Sequence, residues 1–305
     1  MKIATISMVK TSIEQLTLFV NYHLNIGIDH MILLFDDPLD KGGDVFSKYD
    51  QVHVVKCSSG YWEEKAGGRP EPFIERQVIN VNEGVRIASS LNCDWMIHID
   101  NDELVHPVRN IKTVLSKCAV DAVRFNIMEA VSDTEHYDHI FRPRLFRMKS
   151  GNFQIRIAKF LGCSNAFFNN DYFRGHMASK MAVKISSDII QYHVHTAYKK
   201  NGELLVEDSK SIQLLHFDCV GIDDWMSKWD ARINLPQEGF GMRNNRAQQL
   251  SLYIKAKSGG RNDLSVLFRR MHCIPKREKI ILYLLGMLKV VSFDHGLFKA
   301  PVENK

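Results

Sequence analysis

A short acidic cluster follows an apolar run in the first third of the chain. Residues 95–99 are mostly apolar, as in a strand that is covered on both faces of a parallel sheet, and Asp100, Asp102 and Glu103 come directly after them. If the chain stays extended, the carboxylates of Asp100 and Asp102 point the same way. Two such carboxylates repel each other unless a cation lies between them, and oxygen ligands suit Mg²⁺ and Mn²⁺. The cluster therefore predicts a metal that bridges to the phosphates of a nucleotide diphosphate, with a plain polar turn as the alternative.

The composition is that of an ordinary globular protein. The 305 residues are 45% hydrophobic and 25% charged, which suffices for a substantial core. The amino terminus enters a strand-like pattern without a signal-peptide stretch, which predicts a cytosolic protein. The six cysteines form no C-x-x-C pair, so neither a zinc site nor a disulfide framework is indicated. A net charge of +5 is modest for this length, so nucleic acid is not expected as a partner.

Strand and helix patterns alternate in the amino-terminal half. Thr11 and Glu14 form a capping-box pattern that opens a helix, and Gly27 ends it. A second helix is expected over residues 74–91, and strands are expected over residues 3–9, 30–35, 52–55 and 95–99. Strands separated by helices at this rhythm predict a parallel, doubly wound α/β sheet.

Polar residues stand at the carboxyl ends of three of these strands. The first strand ends at Lys10, the second at Asp36 and Asp37, and the fourth at the acidic cluster. Ligands of such sheets bind beyond the carboxyl ends of the strands, so we expect these residues to gather at one edge. The helix amino terminus at Thr11 would offer N–H groups to an anion there. A plain turn is the alternative for Asp36 and Asp37.

Four segments follow one another in the order and spacing typical of family 2-like glycosyltransferases. They are residues 20–30 (VNYHLNIGIDH), 35–38 (FDDP), 75–77 (ERQ) and 94–103 (DWMIHIDNDE). The chain resembles the branch of that family with "YH…G.dh" and "dW….D.DE" motifs, over about 130 residues and then thinly to Lys228. The resemblance implies a GT-A (Rossmann-like) fold with a mostly parallel central sheet flanked by helices, a nucleotide-sugar donor, usually a UDP-sugar, and Mn²⁺ or Mg²⁺ held through the D-x-D motif.

The resemblance also implies a set of metal ligands. A divalent ion stabilises the charge that the departing nucleotide diphosphate gains. Asp102 is the first choice as direct ligand, and Asp100 is expected to contact ribose or metal through water. His216 resembles the family's late histidine and is the expected third ligand, while His193 and His195 alternate on one predicted strand face and compete for that role.

Several residues are expected to contact donor or acceptor. Three cationic residues are expected to bind phosphates or acceptor anions, namely Lys10, Arg76 and Lys180. A position on a solvated helix face explains Arg76 as well. The family commonly has Asn-Glu after the first-strand lysine, whereas this chain has Thr-Ser. The acidic contact to the donor base is therefore missing or is supplied by Asp36 or Asp37.

Transfer to a hydroxyl needs a base within hydrogen-bond reach. The candidates are Asp171, in the polar loop 169–172, and Glu129, just past the strand pattern 122–127. An ordinary loop carboxylate is the alternative for each. His98 has the same strand phase as Asp100, and we expect it in the core or in support of a ligand.

The last quarter of the chain is more basic. Basic residues accumulate from Lys255 onward and flank the apolar run 280–288, which is too short to span a bilayer. This predicts a helix that lies in a membrane surface or packs on a partner, with a buried core helix as the alternative. We expect residues 1–220 to form the GT-A catalytic domain and residues 221–305 a mainly helical, basic appendage.

The resemblance, together with these patterns, implies a metal-dependent, inverting hexosyltransferase of polysaccharide biosynthesis that is cytoplasmic or peripheral on the inner face of the membrane. Its acceptor would be a hydroxyl of a glycan or a lipid-linked glycan. Two alternatives stay open. A metal-dependent phosphoesterase or nucleotidyltransferase could use His98, Asp100 and Asp102 to hold a metal beside a phosphate, without a sugar acceptor. A non-catalytic nucleotide-sugar binding module would bind the donor without transfer.

Overall fold

The protein is described here by a computed structural model, which covers residues 1–163, 178–186, 188–233 and 244–300, with the backbone alone for residues 244–246 and 295. The chain divides into two compact units. The first unit comprises the described parts of residues 1–126, 178–214 and 293–305. The second comprises the described parts of residues 127–177 and 215–292.

The described residues contain twelve strands, ten α-helices and one 3₁₀ helix. The strands are β1 (Ile3–Val9), β2 (His30–Phe35), β3 (Val52–Lys56), β4 (Trp95–His98), β5 (Glu103–Pro107), β6 (Ala122–Ala130), β7 (Leu145–Met148), β8 (Met181–Lys184), β9 (Ile189–Tyr192), β10 (Ala197–Lys199), β11 (Val206–His216) and β12 (Leu288–Val290). The helices are α1 (Ile13–Asn25), α2 (Gly42–Phe46), α3 (Ser59–Ala66), α4 (Phe73–Ser90), α5 (Ile111–Leu115), α6 (Asn152–Phe160), α7 (Ile222–Ile233), α8 (Asn244–Gly259), α9 (Arg261–His272) and α10 (Lys276–Leu284), and a 3₁₀ helix spans His295–Phe298.

A parallel group of strands forms the centre of the first unit. Strand β1 pairs with β2 and with β4, and β2 pairs with β3, all in parallel. Strand β8 then pairs antiparallel with β4, and the first residues of β6 pair antiparallel with β8. The order is thus β3-β2-β1-β4-β8-β6. This is a mixed α/β sheet flanked by helices, and the predicted GT-A (Rossmann-like) fold class is confirmed.

Helix α1 starts one residue later than the capping pattern indicated. The hydroxyl of Ser12, and not that of Thr11, accepts the N–H of Gln15 at 3.2 Å. An N-cap oxygen reaches the amide two or three positions further on, which places the cap at Ser12. Gly27 follows the helix with a φ of +102°, a conformation that favours glycine.

Helix α4 approaches β1 closely at Gly84. A Cβ atom at this position would lie 2.6 Å from Cγ2 of Ile6, which is closer than packed side chains tolerate. Other small or apolar residues of α4, Val81, Val85 and Ala88, pack in the same cluster as Ile6. This close packing at Gly84 and the residues around it fixes α4 against β1.

His23 links α1 to β5 inside the core. Its Nδ1 lies 2.8 Å from the carbonyl oxygen of Phe19, and its Nε2 accepts the N–H of Val105 at 3.2 Å. These two contacts place the proton on Nδ1. Burial lowers the pKa of His23 to about 4, so the ring is neutral at pH 7. His23 therefore positions β5, which starts at the acidic cluster.

Replacing His23 with glutamine is expected to weaken the dependence of stability on acid pH. Below its ordinary pKa of 6.5 a histidine in the unfolded chain binds a proton, whereas the folded protein binds one at residue 23 only near pH 4. The free energy of unfolding therefore decreases as the pH is lowered from 6.5 to 4. His23 contributes up to about 1.4 kcal/mol per pH unit to this decrease. Urea unfolding at several pH values measures the slope, which the variant should reduce.

The exposed His136 supplies the matched control. It lies 3.2 Å from Asp223 at the surface, so a substitution of His136 with glutamine removes a histidine without removing a buried neutral ring. Between pH 4 and pH 6.5, the slope of the unfolding free energy against pH should change less in His136→Gln than in His23→Gln. An equal reduction of the slope in both variants would contradict the assignment of the effect to the buried ring.

The end of the described chain returns to the first unit and packs on α1. The side-chain amide of Asn25 donates to the carbonyl oxygens of Leu297 and Lys299, each at 2.9 Å. Phe298 packs against Tyr22 with ring centroids 5.2 Å apart. Residues 293–300 thus belong with the amino-terminal part of the chain, while the expected division into 1–220 and 221–305 stays a prediction.

The second unit contains most of the carboxyl-terminal helices. Strand β7 pairs antiparallel with the second half of β6 and with β12. Helices α7, α8 and α9 pack around a cluster that includes Trp225, Trp229, Tyr253 and Phe268. The predicted helical character of this region is confirmed. Among the helices of the described residues, none has the length and apolar character needed to cross a membrane.

Candidate active site

The acidic cluster lies in a closed turn between β4 and β5. The N–H of Glu103 donates to the carbonyl oxygen of Asp100 at 3.0 Å, and the N–H of Asp100 donates to Oε2 of Glu103 at 2.9 Å. The condition that the chain stays extended through Asp102 is therefore not met, because this reciprocal pair of bonds closes a turn over residues 100–103. The buried carboxylate of Glu103 holds the turn in shape.

A buried ammonium group lies against the acidic turn. The Nζ atom of Lys180 donates to Oδ2 of Asp100 at 2.8 Å and lies 3.7 Å from Oε2 of Glu103. Burial alone would lower the pKa of Lys180, but the carboxylates of Asp100, Glu103 and Asp102 outweigh burial, so the pKa is raised. Lys180 is thus charged at pH 7. It was expected to meet phosphates or acceptor anions, and in the structure it contacts carboxylates.

His98 lies on the other side of this ammonium group. Its Nδ1 is 3.3 Å from Nζ of Lys180 and 3.4 Å from the carbonyl oxygen of Val194. Burial and the charge of Lys180 lower the pKa of His98 to about 3, so the ring is neutral. Nδ1 accepts from the ammonium group of Lys180 in one tautomer and donates to the carbonyl oxygen of Val194 in the other. His98 is a buried neighbour of the acidic turn, as its strand phase indicated.

His193 and His195 lie in the turn between β9 and β10. The N–H of His193 donates to the carbonyl oxygen of Thr196 at 2.8 Å, which closes this turn. The prediction that the two histidines alternate on one strand face is wrong for this reason. Nδ1 of His195 lies 3.2 Å from the carbonyl oxygen of Ser179, which precedes Lys180.

Three strand ends gather at one edge of the sheet, as expected. The side-chain amide of Asn101 donates to the carbonyl oxygen of Lys10 at 3.4 Å, which joins the ends of β4 and β1. Val9 pairs with Phe35, so Asp36 follows at the same edge. This edge carries the candidate site.

Two glutamines that sequence reasoning missed border the acidic turn. Nε2 of Gln15, in the first turn of α1, donates to the carbonyl oxygen of Asn101 at 3.2 Å. Nε2 of Gln77, in α4, donates to Oδ1 of Asp100 at 3.3 Å. Gln77 lies in the 75–77 segment that carried the family resemblance, and this was the available signal. Asp100 is therefore held through both oxygens, by Gln77 and by Lys180.

Asp36 lies between two arginines. Nη2 of Arg69 is 2.6 Å from Oδ2 of Asp36, and Nε of Arg76 is 3.4 Å from Oδ1. Arg76 also donates to the carbonyl oxygens of Pro70 and Glu71, both at 2.8 Å. The side chain of Arg76 therefore shapes the loop before α4, and the interpretation of Arg76 as part of a solvated helix face is wrong.

Lys10 and Asp37 lie at the same edge and are exposed. Oδ1 of Asp37 accepts the N–H of Leu39 at 3.0 Å, which is a local turn contact. The assignments of Lys10, Asp36, Asp37 and Arg76 to donor contacts stay predictions.

The remaining candidates belong to other parts of the chain. Strand β6 runs to Ala130, so the placement of Glu129 in a loop is wrong, and its buried carboxylate lies 3.1 Å from Nη1 of Arg147 in the second unit. His216 is the last residue of β11 and also belongs to the second unit, so its role as third ligand stays a prediction. Asp171 lies outside the described residues.

The residues of the acidic turn fit a divalent cation in charge and in type. Asp100, Asp102 and Glu103 carry three formal negative charges and Lys180 carries one positive charge, which leaves a net formal charge of −2. Asp100 and Asp102 are partly exposed. Mg²⁺ is commonly bound through one or two carboxylates together with water and substrate phosphates. Over the described ranges, no group of three or more His, Cys, Asp or Glu residues is arranged to hold a metal by itself.

Comparisons with known proteins give matches among solved structures only. No family model matches the chain, and no curated protein matches it significantly. HddC from Yersinia pseudotuberculosis is 11% identical with a TM-score of 0.38, over 74% of this chain and 97% of HddC. TarS from S. aureus in complex with UDP is 10% identical with a TM-score of 0.39, over 92% of this chain and 77% of the TarS chain.

A third solved structure is glucosyl-3-phosphoglycerate synthase from Mycobacterium tuberculosis in complex with Mn²⁺, UDP and glucosyl-3-phosphoglycerate. It is 11% identical with a TM-score of 0.31, over 60% of this chain and 57% of the synthase. The likeness concerns the fold alone. Because the TM-scores are 0.31 to 0.39, these matches do not assign a function to the chain, and the site has to be interpreted from its own residues.

Proposed function

We propose that the protein is a glycosyltransferase that uses a nucleotide sugar and a divalent cation, Mn²⁺ or Mg²⁺. The observation that carries the proposal is the acidic turn after β4, where two partly exposed carboxylates lie at the edge to which the parallel strands point. Ligands of parallel α/β sheets bind at that edge. Carboxylates of this kind bind a diphosphate through a divalent ion, because the ion relieves the repulsion between the two. The acceptor would be a hydroxyl of a glycan or a lipid-linked glycan.

Asp102 and Asp100 are the residues that would hold the ion. When bound, the ion supplies Lewis-acid stabilisation of the negative charge on the departing diphosphate. Asp102 is the direct ligand in this proposal. The carboxylate of Asp100 has a set orientation, because Lys180 holds Oδ2 and Gln77 holds Oδ1. Groups that are oriented before the reaction stabilise the transition state without a cost for reorganisation.

Lys180 limits the charge repulsion inside the site. Without its ammonium group, the carboxylates of Asp100 and Glu103 would face each other across the turn, and the turn would open more easily. Lys10 is exposed at the end of β1 and lies one hydrogen bond from the acidic turn through Asn101. It is assigned to the donor phosphates in this proposal.

Release of nucleoside diphosphate from a panel of nucleotide sugars tests the proposal. UDP-sugars come first, with Mn²⁺ or Mg²⁺, with EDTA, and with glycan acceptors whose products are followed by mass spectrometry. We expect one donor to be hydrolysed slowly, its turnover to stop on chelation and return with metal, and an acceptor to accelerate it. The anomeric configuration of the product tests the expectation of inversion.

Two outcomes would overturn the proposal. Cleavage of simple phosphate esters, at a rate independent of any sugar, would indicate a phosphoesterase. Donor binding in calorimetry without turnover on any acceptor in the panel would indicate a binding module.

A further inference from the structure

Helix α6, in the second unit, exposes two aromatic side chains to solvent. Phe153 is 76% exposed and Phe160 is 89% exposed. Together with the exposed Arg156 they lie at positions i, i+3 and i+7, which share one face of a helix. The opposite face is occupied, because Ile155 and Ala158 are buried in a hydrophobic cluster.

Helix α10, in the same unit, repeats this arrangement. Ile280 is 63% exposed and Leu284 is 80% exposed, and the exposed Arg277 precedes them at the same helical spacing. Leu282 is buried on the opposite face. Helix α10, which carries the apolar run near the end of the chain, therefore buries one face in the core and exposes the other.

The two helices share one core. Ile155, Ala158 and Leu282 belong to the same buried cluster, and Nε2 of Gln154 donates to the carbonyl oxygen of Leu285 at 2.7 Å. Each helix therefore turns its exposed face away from a common cluster. We call these two faces the basic-apolar surface, defined by Phe153, Arg156, Phe160, Arg277, Ile280 and Leu284.

The charges on these helices have one predominant sign. Lys159 is exposed on α6 and Lys276 is exposed on α10, in addition to the two arginines. Helix α6 has no acidic residue, and the one acidic residue of α10 is Glu278, which is partly buried. Apolar side chains flanked by cations suit the interface of an anionic bilayer, where the cations meet lipid phosphates. A second copy of the same surface would instead place like charges against each other.

We infer that the basic-apolar surface binds an anionic membrane surface. Phe153, Phe160 and Leu284 enter the headgroup layer, and Arg156 and Arg277 contact the lipid phosphates. The helices lie along the bilayer and do not cross it, since α6 and α10 have nine residues each. This inference stands independently of the proposed transferase activity, because its observations come from α6 and α10 alone.

Sedimentation of the full chain with vesicles tests the inference. The vesicles consist of phosphatidylcholine alone or of phosphatidylcholine mixed with phosphatidylglycerol. We expect binding to the anionic vesicles, release at high salt and little binding to the neutral ones. The double variant Phe160→Ser with Leu284→Ser should weaken binding by about tenfold or more, because two side chains lose their burial in lipid.

Matched variants separate this surface from general effects of exposed side chains. Leu39 is 87% exposed in the first unit, so Leu39→Ser removes an exposed leucine elsewhere and should leave binding unchanged. Arg156→Gln with Arg277→Gln should weaken binding to anionic vesicles, whereas Arg124→Gln, at an exposed arginine of the first unit, should not. Far-ultraviolet circular dichroism verifies that each variant folds.

Two results would overturn the inference. Equal binding of wild type and the Phe160→Ser, Leu284→Ser double variant to anionic vesicles would show that the surface is not used. A concentration-dependent dimer in light scattering that this double variant abolishes, without vesicle binding by the wild type, would assign the surface to contact between copies of the chain.

Discussion

Replacing Lys180 with methionine is expected to lower the free energy of unfolding by about 3 kcal/mol. The side chain is buried, and its ammonium group lies 2.8 Å from Asp100 and 3.7 Å from Glu103. Methionine keeps most of the volume but removes the charge, so the buried carboxylate of Glu103 and the partly exposed one of Asp100 lose this cation. Removal of one partner of a buried ion pair costs more than the pair contributes, because a charge is left in a poorly solvated place. Urea unfolding measures the difference.

A second lysine provides the control for this experiment. Lys112 is paired with Asp29 at 2.6 Å, but both side chains are partly exposed. Lys112→Met should therefore cost less than about 1 kcal/mol. Adding Asp100→Asn to Lys180→Met should recover part of the lost stability, since one of the two carboxylates is then neutral. An equal cost for Lys180→Met and Lys112→Met would show that the buried ammonium group does not stabilise the acidic turn.

Replacing Asp102 with asparagine is expected to lower the transfer rate by about 100-fold or more, provided that the proposed activity is found. Asparagine has the same shape but lacks the negative charge, so the site loses half of its net formal charge of −2. The metal concentration for half-maximal activity should rise in parallel. Initial rates at several Mn²⁺ concentrations measure both quantities. Stability should change little, because Asp102 is partly exposed.

Asp50 offers a carboxylate for comparison. It is exposed and lies in the turn before β3, at the amino end of a parallel strand and hence at the edge opposite to the acidic turn. Asp50→Asn should keep the wild-type rate and metal dependence. The assignment of Asp102 as a metal ligand would have to be abandoned if Asp102→Asn stayed within a few-fold of wild type while chelation still stopped the reaction.

The parallel strands of the first unit were predictable from local pattern. β1 and β2 cover the residues that the apolar, β-rich runs indicated, because strands buried on both faces in a parallel sheet need apolar side chains at nearly every position. The gathering of strand ends at one edge followed from the same logic, since parallel neighbours must end together.

The prediction of helix starts was less accurate, because neighbouring polar residues compete for the capping position. Thr11 and Ser12 are both capable caps, and only the geometry of the first turn selects Ser12.

The sequence by itself determined the parallel strands β1 to β4, and it determined that carboxylates stand where the fourth strand ends. The tertiary structure decided that these carboxylates lie in a closed turn, that Lys180 neutralises part of them, and that Glu129 is buried against Arg147. Helical and strand patterns depend on neighbours a few residues apart, which any sequence displays. The contact between Lys180 and Asp100 joins residues 80 positions apart, and it forms only when β8 pairs beside β4.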